Sequence, residues 1–510
     1  MREGSPGRGE LAALVALLAL AALLRFVDLP TRGTWDADQG TDMLVLWRMV
    51  HEGTWPLLGP MTSIGDFHHG VLYYYLLAPV AFLSGADPLW VVGFIALAGV
   101  VAVGVVWWLG RAIGGPVAGV VAGGLMAVSA AAIEESTFIW NPNFIALSSA
   151  VAVAAAWQAW TSGLARWWIV AAAAQAVTMH CHVLGSVMLV PLAAWLLLDW
   201  RRRGRGGSRG RVVAAALAGL ALIALSYVPL LVHELQSGFS ESRAAVDFLL
   251  GGGSRDGAPL PLRLVVVPLR VLSWPLTGLI TAQPIAALLA SAAVVAILAW
   301  RRRAAARAER TAVRWIAATL AWASLALAFG ASSLGTVVPG LPNDHYHAFL
   351  DPLVFVTVGL GAAAFWRERP GGLRVAGAAA VAGVGALVAL NVAIWPPRVA
   401  PDGGYPRAEE AAGRIIASVT TGHYALDGLP TLKNPNAYRF PLVRLGGGPA
   451  SHGDFLPEQL VIACDRLLEP IIGAACDGPA EDARAAELMP GSELAERFGA
   501  SPRTVISIYR

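Results

Sequence analysis

The chain has 510 residues, of which 56% are hydrophobic and only 14% charged, with a formal net charge of +3 and a mean hydropathy of +0.60. That is too apolar for a soluble globule, and the high charge of a disordered chain, the periodic glycine of collagen and the dense cysteine of a disulfide-stapled miniprotein are all missing, so the sequence describes an integral membrane protein. Lysine occurs once, at Lys433, and the other basic residues are arginine, a bias to which no chemistry is attached at this level.

A membrane-crossing helix needs about 20 mostly apolar residues, and cytoplasmic loops collect Arg and Lys. Residues 10–27 form the first apolar run, behind Arg2 and Arg8; no small-residue cleavage site follows and Arg25 lies inside its end, the pattern of an uncleaved anchor with its N-terminus in the cytoplasm. Further runs lie at 89–110, 117–132, 144–160, 167–179, 183–200, 212–232, 279–300, 315–333, 349–366 and 375–394. Arg111, Arg166 and the arginine-rich stretches 201–211, 301–314 and 367–374 punctuate them and mark the cytoplasmic side. The expectation is a polytopic α-helical protein with about eleven transmembrane helices, N-terminus inside and C-terminus outside. The run at 167–179 is short and rests on parity. The stretch 71–84 is apolar but too short to span, and is expected to lie against the outer membrane surface.

Residues 1–395 then make a transmembrane domain with a long outer loop, 28–87, and a second outer stretch at about 234–278. Residues 396–510 make a small extracytoplasmic α/β domain, with helical stretches at 408–419 and 481–498, a strand at 460–464 and a β-rich end at 504–509. Cys464 and Cys476 fall in it and would be free to pair in an oxidising compartment, while Cys181 stays alone in the membrane.

All 10 histidines, His51, His68, His69, His180, His182, His233, His345, His347, His423 and His452, fall outside the membrane or at the outer ends of helices. The first outer loop reads Thr34-Trp35-Asp36-Ala37-Asp38-Gln39-Gly40-Thr41-Asp42. Carboxylates at a membrane interface would serve as general bases or hold a divalent ion; equally, they would cap the first turn of a helix. Gly65-Asp66-Phe67-His68-His69-Gly70-Val71-Leu72-Tyr73-Tyr74-Tyr75 follows, with imidazoles suited to phosphate or metal and tyrosines suited to interface anchoring.

These segments resemble the N-terminal pattern of family 39 glycosyltransferases, the GT-C enzymes that include protein O-mannosyltransferases and lipid A aminoarabinose transferases. The residues that carry the resemblance are Asp38-Gln39, Gly53, His69-Gly70-Val71-Leu72-Tyr73 and Phe82-Leu83-Ser84-Gly85. The resemblance covers about residues 10–150 and beyond that rests on topology. It implies a hexosyl- or pentosyltransferase that moves a sugar from a polyprenyl-phosphate carrier to a protein, lipid or polysaccharide acceptor on the outer face of the membrane, with no soluble nucleotide sugar. Asp38 takes the role of the catalytic outer-loop Asp, helped by Asp36. Two positions depart from the family pattern: Gln39 stands where Glu often follows, and His69 where part of the family has a phosphate-contacting Lys.

Around that centre, His68, Tyr73, Asp42 and Gln39 are expected to contact donor or substrate, as are Asp344, His345 and His347 from Asn343-Asp344-His345-Tyr346-His347. His345 and His347 would donate to phosphate oxygens while Asp344 orients one ring. Glu134 and Glu135, beside Trp140-Asn141-Pro142-Asn143, and His180 and His182, in His180-Cys181-His182, are the remaining candidates to share a divalent metal ion with Asp38. The other readings are a transporter or flippase for a lipid-linked sugar and a catalytically silent scaffold. The spans are almost free of acids and the polar clusters sit at one face, which favours an enzyme over a transporter. No P-loop or dinucleotide fingerprint is present, and nothing points to nucleic acid.

Overall fold

The structure is a computed structural model that describes residues 6–62, 66–204, 207–250, 258–337, 343–368, 374–420, 423–449 and 457–510. Among these residues, nine helices are long and apolar enough to cross a membrane: Arg8–Phe26, Pro88–Gly114, Asn141–Ser162, Val183–Arg202, Gly207–Ser226, Leu260–Thr277, Pro284–Ala304, Arg307–Gly330 and Asp344–Arg367. Shorter helices at Pro116–Val128, Trp167–Cys181 and Arg374–Ala393 pack among them. The expected helix at the membrane surface is Leu72–Ser84.

Arg111, Arg202, Arg203 and Arg301 gather at one end of the bundle, where carbonyls and a few acids pair with them. Arg111 Nε donates to Glu10 Oε2 (2.7 Å), Arg203 Nη2 to Asp199 Oδ2 (2.6 Å) and Arg301 Nε to Glu309 Oε1 (2.9 Å); Arg202 reaches the carbonyl of Trp160. The described histidines and the C-terminal domain lie at the opposite end; His452 is outside the described residues.

Three local breaks differ from the expected helices. The run 117–132 is two helices, Pro116–Val128 and Ala130–Glu134, parted at Ser129. The fully buried Arg25 guanidinium fills the break, donating to the carbonyls of Met126 (3.2 Å) and Ala127 (3.1 Å) that the interrupted helix releases. The run 212–232 ends at Ser226, and a separate helix, Val228–Ser237, follows Tyr227. In the C-terminal domain, 481–498 is not one helix: Pro490-Gly491 stops the helix Pro479–Leu488, and a strand follows.

The outer stretch 234–278 contains the apolar helix Leu260–Thr277, long enough to span yet laid across one end of the bundle. Arg263 donates to Phe329 O and Arg270 to Leu334 O near its start and middle, while Pro275 O and Leu276 O accept from Ser129 and Asn391 at its finish. All four partners belong to the histidine-bearing ends of their helices, so both termini of this helix stay on that side.

The C-terminal sheet has the order β1-β2-β4-β3, from β1 (Tyr424–Leu429), β2 (Gln459–Asp465), β3 (Leu494–Gly499) and β4 (Thr504–Tyr509). β1 and β2 are parallel, joined through the helix Asn436–Arg444, and the other pairs are antiparallel. β2 is buried along its whole length, as its unbroken Leu-Val-Ile-Ala-Cys run requires. Alternation splits its residues between two cores. Leu460, Ile462 and Cys464 face a small core that holds the Cys464–Cys476 disulfide; Val461 and Ala463 join the continuous core of the membrane bundle. Cys181 is free and buried. A reporter inserted at Gly163 and one fused after Arg510 are expected to report opposite sides of the membrane; the same side for both would overturn the two-ended arrangement.

Candidate active site

The helix Ala37–His51 begins with a capping box. Asp36 Oδ1 accepts from the Ala37 amide (2.8 Å), and Gln39 Oε1 accepts from the Asp36 amide (2.9 Å). Gln39 also donates to Ile139 O (2.9 Å), so this side chain fixes the helix start and is not part of the cavity wall. One turn on, the Asp42 carboxylate, 2% exposed, accepts from the hydroxyls of Tyr73 and Tyr74, both at 2.8 Å. These two bonds lock the helix to Leu72–Ser84, and they assign Asp42 and Tyr73 to holding the site together.

On the same helix Asp38 opens onto a cavity of about 210 Å³ lined also by Thr41, Asp42, His69, Trp140, His182, His345 and Asn434. Its side chain is exposed to the cavity. Desolvation by the surrounding protein, with the nearby Asp36 charge, pushes its pKa up, while Lys433 and a hydrogen bond from Trp140 pull the other way. His69 is set by short antiparallel pairing of 59–62 with 67–69: its amide donates to Pro60 O (2.8 Å), and Gly59 donates back to it (3.0 Å). Its ring is 7% exposed, its Nδ1 has no partner among the described residues, and burial lowers its pKa to about 4, so it is a neutral ring near neutral pH.

Three further rings complete the wall. His182 lies 5.1 Å from His69 and 5.8 Å from His345 between ring centroids, and His345 sits 4.1 Å from Trp140. His182 Nδ1 accepts from the Leu184 amide (3.2 Å), which leaves Nε2 as its donor. Asp38, His69, His182 and His345 are thus brought together from four separate stretches of chain.

The other sequence candidates are held elsewhere. His68 turns away, with Glu241 Oε2 3.0 Å from its Nδ1 and 2.6 Å from its amide. His180 Nδ1 accepts from the Leu72 amide (3.3 Å) and its Nε2 meets Ser226 Oγ (2.9 Å); a Cβ on Gly70 would fall 1.9 Å from its Nδ1, so only glycine allows this packing. His347 Nε2 lies 3.2 Å from Asp344 Oδ1, behind the cavity. Asp344 is gripped by Arg270, with Nε at 2.8 Å and Nη2 at 2.7 Å, and Arg270 also binds Asn343 Oδ1 (2.5 Å). Glu134 and Glu135 lie off the cavity wall; desolvation by the surrounding protein pushes both pKa values up, that of Glu135 to about 8 with Glu134 and Asp344 adding to it. Among the described residues no three His, Cys, Asp or Glu side chains converge to hold a metal, so the set Asp38, Glu134, Glu135, His180 and His182 is not assembled.

Sequence reading missed Arg270 and Asn434. The apolar pattern of 260–277, interrupted at Arg263 and Arg270, was the available signal for the first; Asn434, in an ordinary polar turn, gave none.

Residues 68–228 match the family described as dolichyl-phosphate-mannose-protein mannosyltransferase. No curated protein matches the sequence. Among solved structures, ArnT from Cupriavidus metallidurans in the apo state superposes with a TM-score of 0.60 at 14% identity, covering 98% of each chain. The same protein bound to undecaprenyl phosphate gives 0.60 and 14%, covering 99% of this chain and 98% of that one. The apo oligosaccharyltransferase of Archaeoglobus fulgidus gives 0.52 at 12% identity, over 92% of this chain and 72% of that one.

Asp42 offers a direct test of the frame. Its folded pKa of about 7 lies above the ordinary carboxylate value, so the folded state holds a proton that the unfolded chain gives up. That contribution is complete below about pH 4 and is lost as the pH rises through about 7. Thermal unfolding in detergent is expected to show this decline in wild type and to lose it in Asp42→Asn, and Tyr73→Phe is expected to cost about 1–2 kcal/mol. From the shared architecture, the membrane helices and the sheet fused to them, the chain is a multi-pass membrane protein with the GT-C fold.

Proposed function

We propose that the chain is a glycosyltransferase that moves a sugar from a polyprenyl-phosphate carrier to a hydroxyl acceptor on the outer face of the cytoplasmic membrane. The arginine-marked end then lies in the cytoplasm, and the cavity and C-terminal domain lie outside. One observation carries the reading: Asp38, a carboxyl of raised pKa, faces the neutral imidazole of His69 and the rings of His182 and His345 across a cavity at one end of this fold. The ArnT relative with undecaprenyl phosphate bound supports the choice of carrier.

In the reaction this implies, Asp38 takes the proton of the acceptor hydroxyl as that oxygen attacks the anomeric carbon. A new carbon–oxygen bond forms, the bond from the anomeric carbon to phosphate breaks, and the phosphate leaves on its lipid with inversion. Negative charge grows on the phosphate oxygens as they depart, and preformed N–H donors facing the cavity would stabilise it at no reorganisation cost. His182 Nε2 and the unpartnered His69 ring are placed to donate, and Trp140 both orients the Asp38 carboxyl and stacks on His345. Asp36 contributes through the helix start, and Asp344 and His347 by holding the loop that carries His345.

The test is transfer of radiolabelled sugar from a panel of polyprenyl-phosphate sugars in membranes holding wild type or Asp38→Asn. Wild-type transfer and a loss of about a hundredfold or more in the variant, at equal protein level, are expected. Donor left unconsumed by wild type would move the transporter and silent-scaffold readings ahead; equal rates would remove Asp38 as the base.

A further inference from the structure

The single lysine of the chain lies in the C-terminal domain, at the end of a turn closed by its own amide on Pro430 O (2.8 Å). Its ammonium reaches across to the membrane domain and sits 2.7 Å from Asp36 Oδ1, with Asp465 of β2 as its second partner. The flanking residues dock on the same helix. Trp35 donates from its amide to Asp402 Oδ2 (2.9 Å) and from its indole to Ala437 O (2.8 Å). Asn436 Nδ2 donates to Thr41 Oγ1 (2.9 Å). Contact is so close that a Cβ on Gly40 would fall 2.1 Å from Asn436 O. Asn434, between the two, lines the cavity beside Asp38.

We infer that Lys433 is a positioning residue for Asp38: by neutralising the N-capping Asp36 and pinning the first turn of the helix Ala37–His51, it lets the C-terminal domain set the charge and place of the cavity carboxyl. This goes beyond the proposed reaction and rests on it only for the consequence for rate.

The electrostatic logic is local. Asp38 faces Asp36 and Asp42 on its own helix, Trp140 and the rings of His69, His182 and His345 across the cavity, and Lys433 from the C-terminal domain. Lys433 faces Asp36, Asp465, and Arg503, which stands 3.4 Å from Asp465 and 3.9 Å from Asp36. Burial works against the charge on Lys433, but Asp36 and Asp465 hold its pKa above the usual value, so it is a fixed cation across the working range. Remove it and Asp36 keeps only the more distant Arg503, so two carboxylates two residues apart repel and Asp38 binds its proton more tightly.

The experiment reads that proton directly. A water-soluble carbodiimide with a small amine modifies protonated carboxyls, and Asp38 is open to the cavity; its modification is followed by peptide mass spectrometry across pH in the full-length protein. The midpoint is expected about half a pH unit higher in Lys433→Met than in wild type, with Lys433→Arg back at the wild-type value. Asp36→Asn, which keeps a capping side chain, is expected to move the midpoint down, and it provides the answer if Lys433→Met does not fold. Coincident midpoints across the lysine series, or in wild type and Asp36→Asn when Lys433→Met does not fold, overturn the inference. Because no sugar donor is used, the result stands apart from the proposed function. Where transfer is also measured, the acid limb of the pH–rate profile should follow the midpoint; a midpoint that moves while the limb does not would remove Asp38 as the base and leave the role of Lys433 standing.

Discussion

A carboxylate held by two tyrosine hydroxyls is the contact on which the rest of the site depends. Asp42 accepts from Tyr73 and Tyr74 at the wall of the cavity, and neither helix of that pair is long enough to be fixed by the membrane. With the bond in place, Asp38 lies one turn earlier on the same helix, and His69 lies just ahead of the partner helix. The spacing of the two groups across the cavity follows from a single buried anchor. Two hydrogen bonds converging on one carboxyl constrain its angle as well as its distance, so the anchor sets orientation as well as proximity.

The same end of the molecule shows how a membrane protein separates structural from reactive polarity. Two polar side chains that serve the frame are held at both ends: Gln39 by Ile139 and the Asp36 amide, His180 by Leu72 and Ser226. Groups facing the cavity keep capacity in reserve, as the unpartnered His69 Nδ1 and the free Nε2 of His182 show. Access to the cavity, more than residue type, therefore distinguishes the imidazoles of the wall from those behind it: His347 Nδ1 is also unpartnered, but His347 does not line the cavity.

Much of the frame was legible in the sequence, because spans, arginine marks and the surface helix are written in composition over long windows. What was not legible arose from contacts distant in sequence. The helix Leu260–Thr277 has the composition of a span, and only its partners at Phe329, Leu334, Ser129 and Asn391 show that it lies across one end. The motif Asp36-Ala37-Asp38-Gln39 admitted both a capping and a catalytic reading, and the structure gives capping to Asp36 and Gln39 while turning Asp38 to the cavity. The histidines were visible as a set, but adjacent positions diverged: His69 faces in and His68 faces Glu241, a separation that alternation in extended chain imposes. Lys433 was visible as the only lysine, yet composition attached no chemistry to it.

The C-terminal sheet changes meaning once its two faces are compared. A domain tethered to a bundle would bury one core of its own and leave the facing surface polar, and relative motion would be the ordinary expectation. Here Val461, Ala463, Ile506 and Ile508 on one face belong to the same continuous core as the membrane helices, and the disulfide braces only the far side. The helices Gly404–Ser418 and Asn436–Arg444 fill the joint, with Trp35 packed 4.6 Å from Tyr405 and 5.8 Å from Phe440 between ring centroids. The domain is therefore not free to swing without exposing that core, and any acceptor entering the cavity must pass a rim to which the C-terminal domain contributes Asn434.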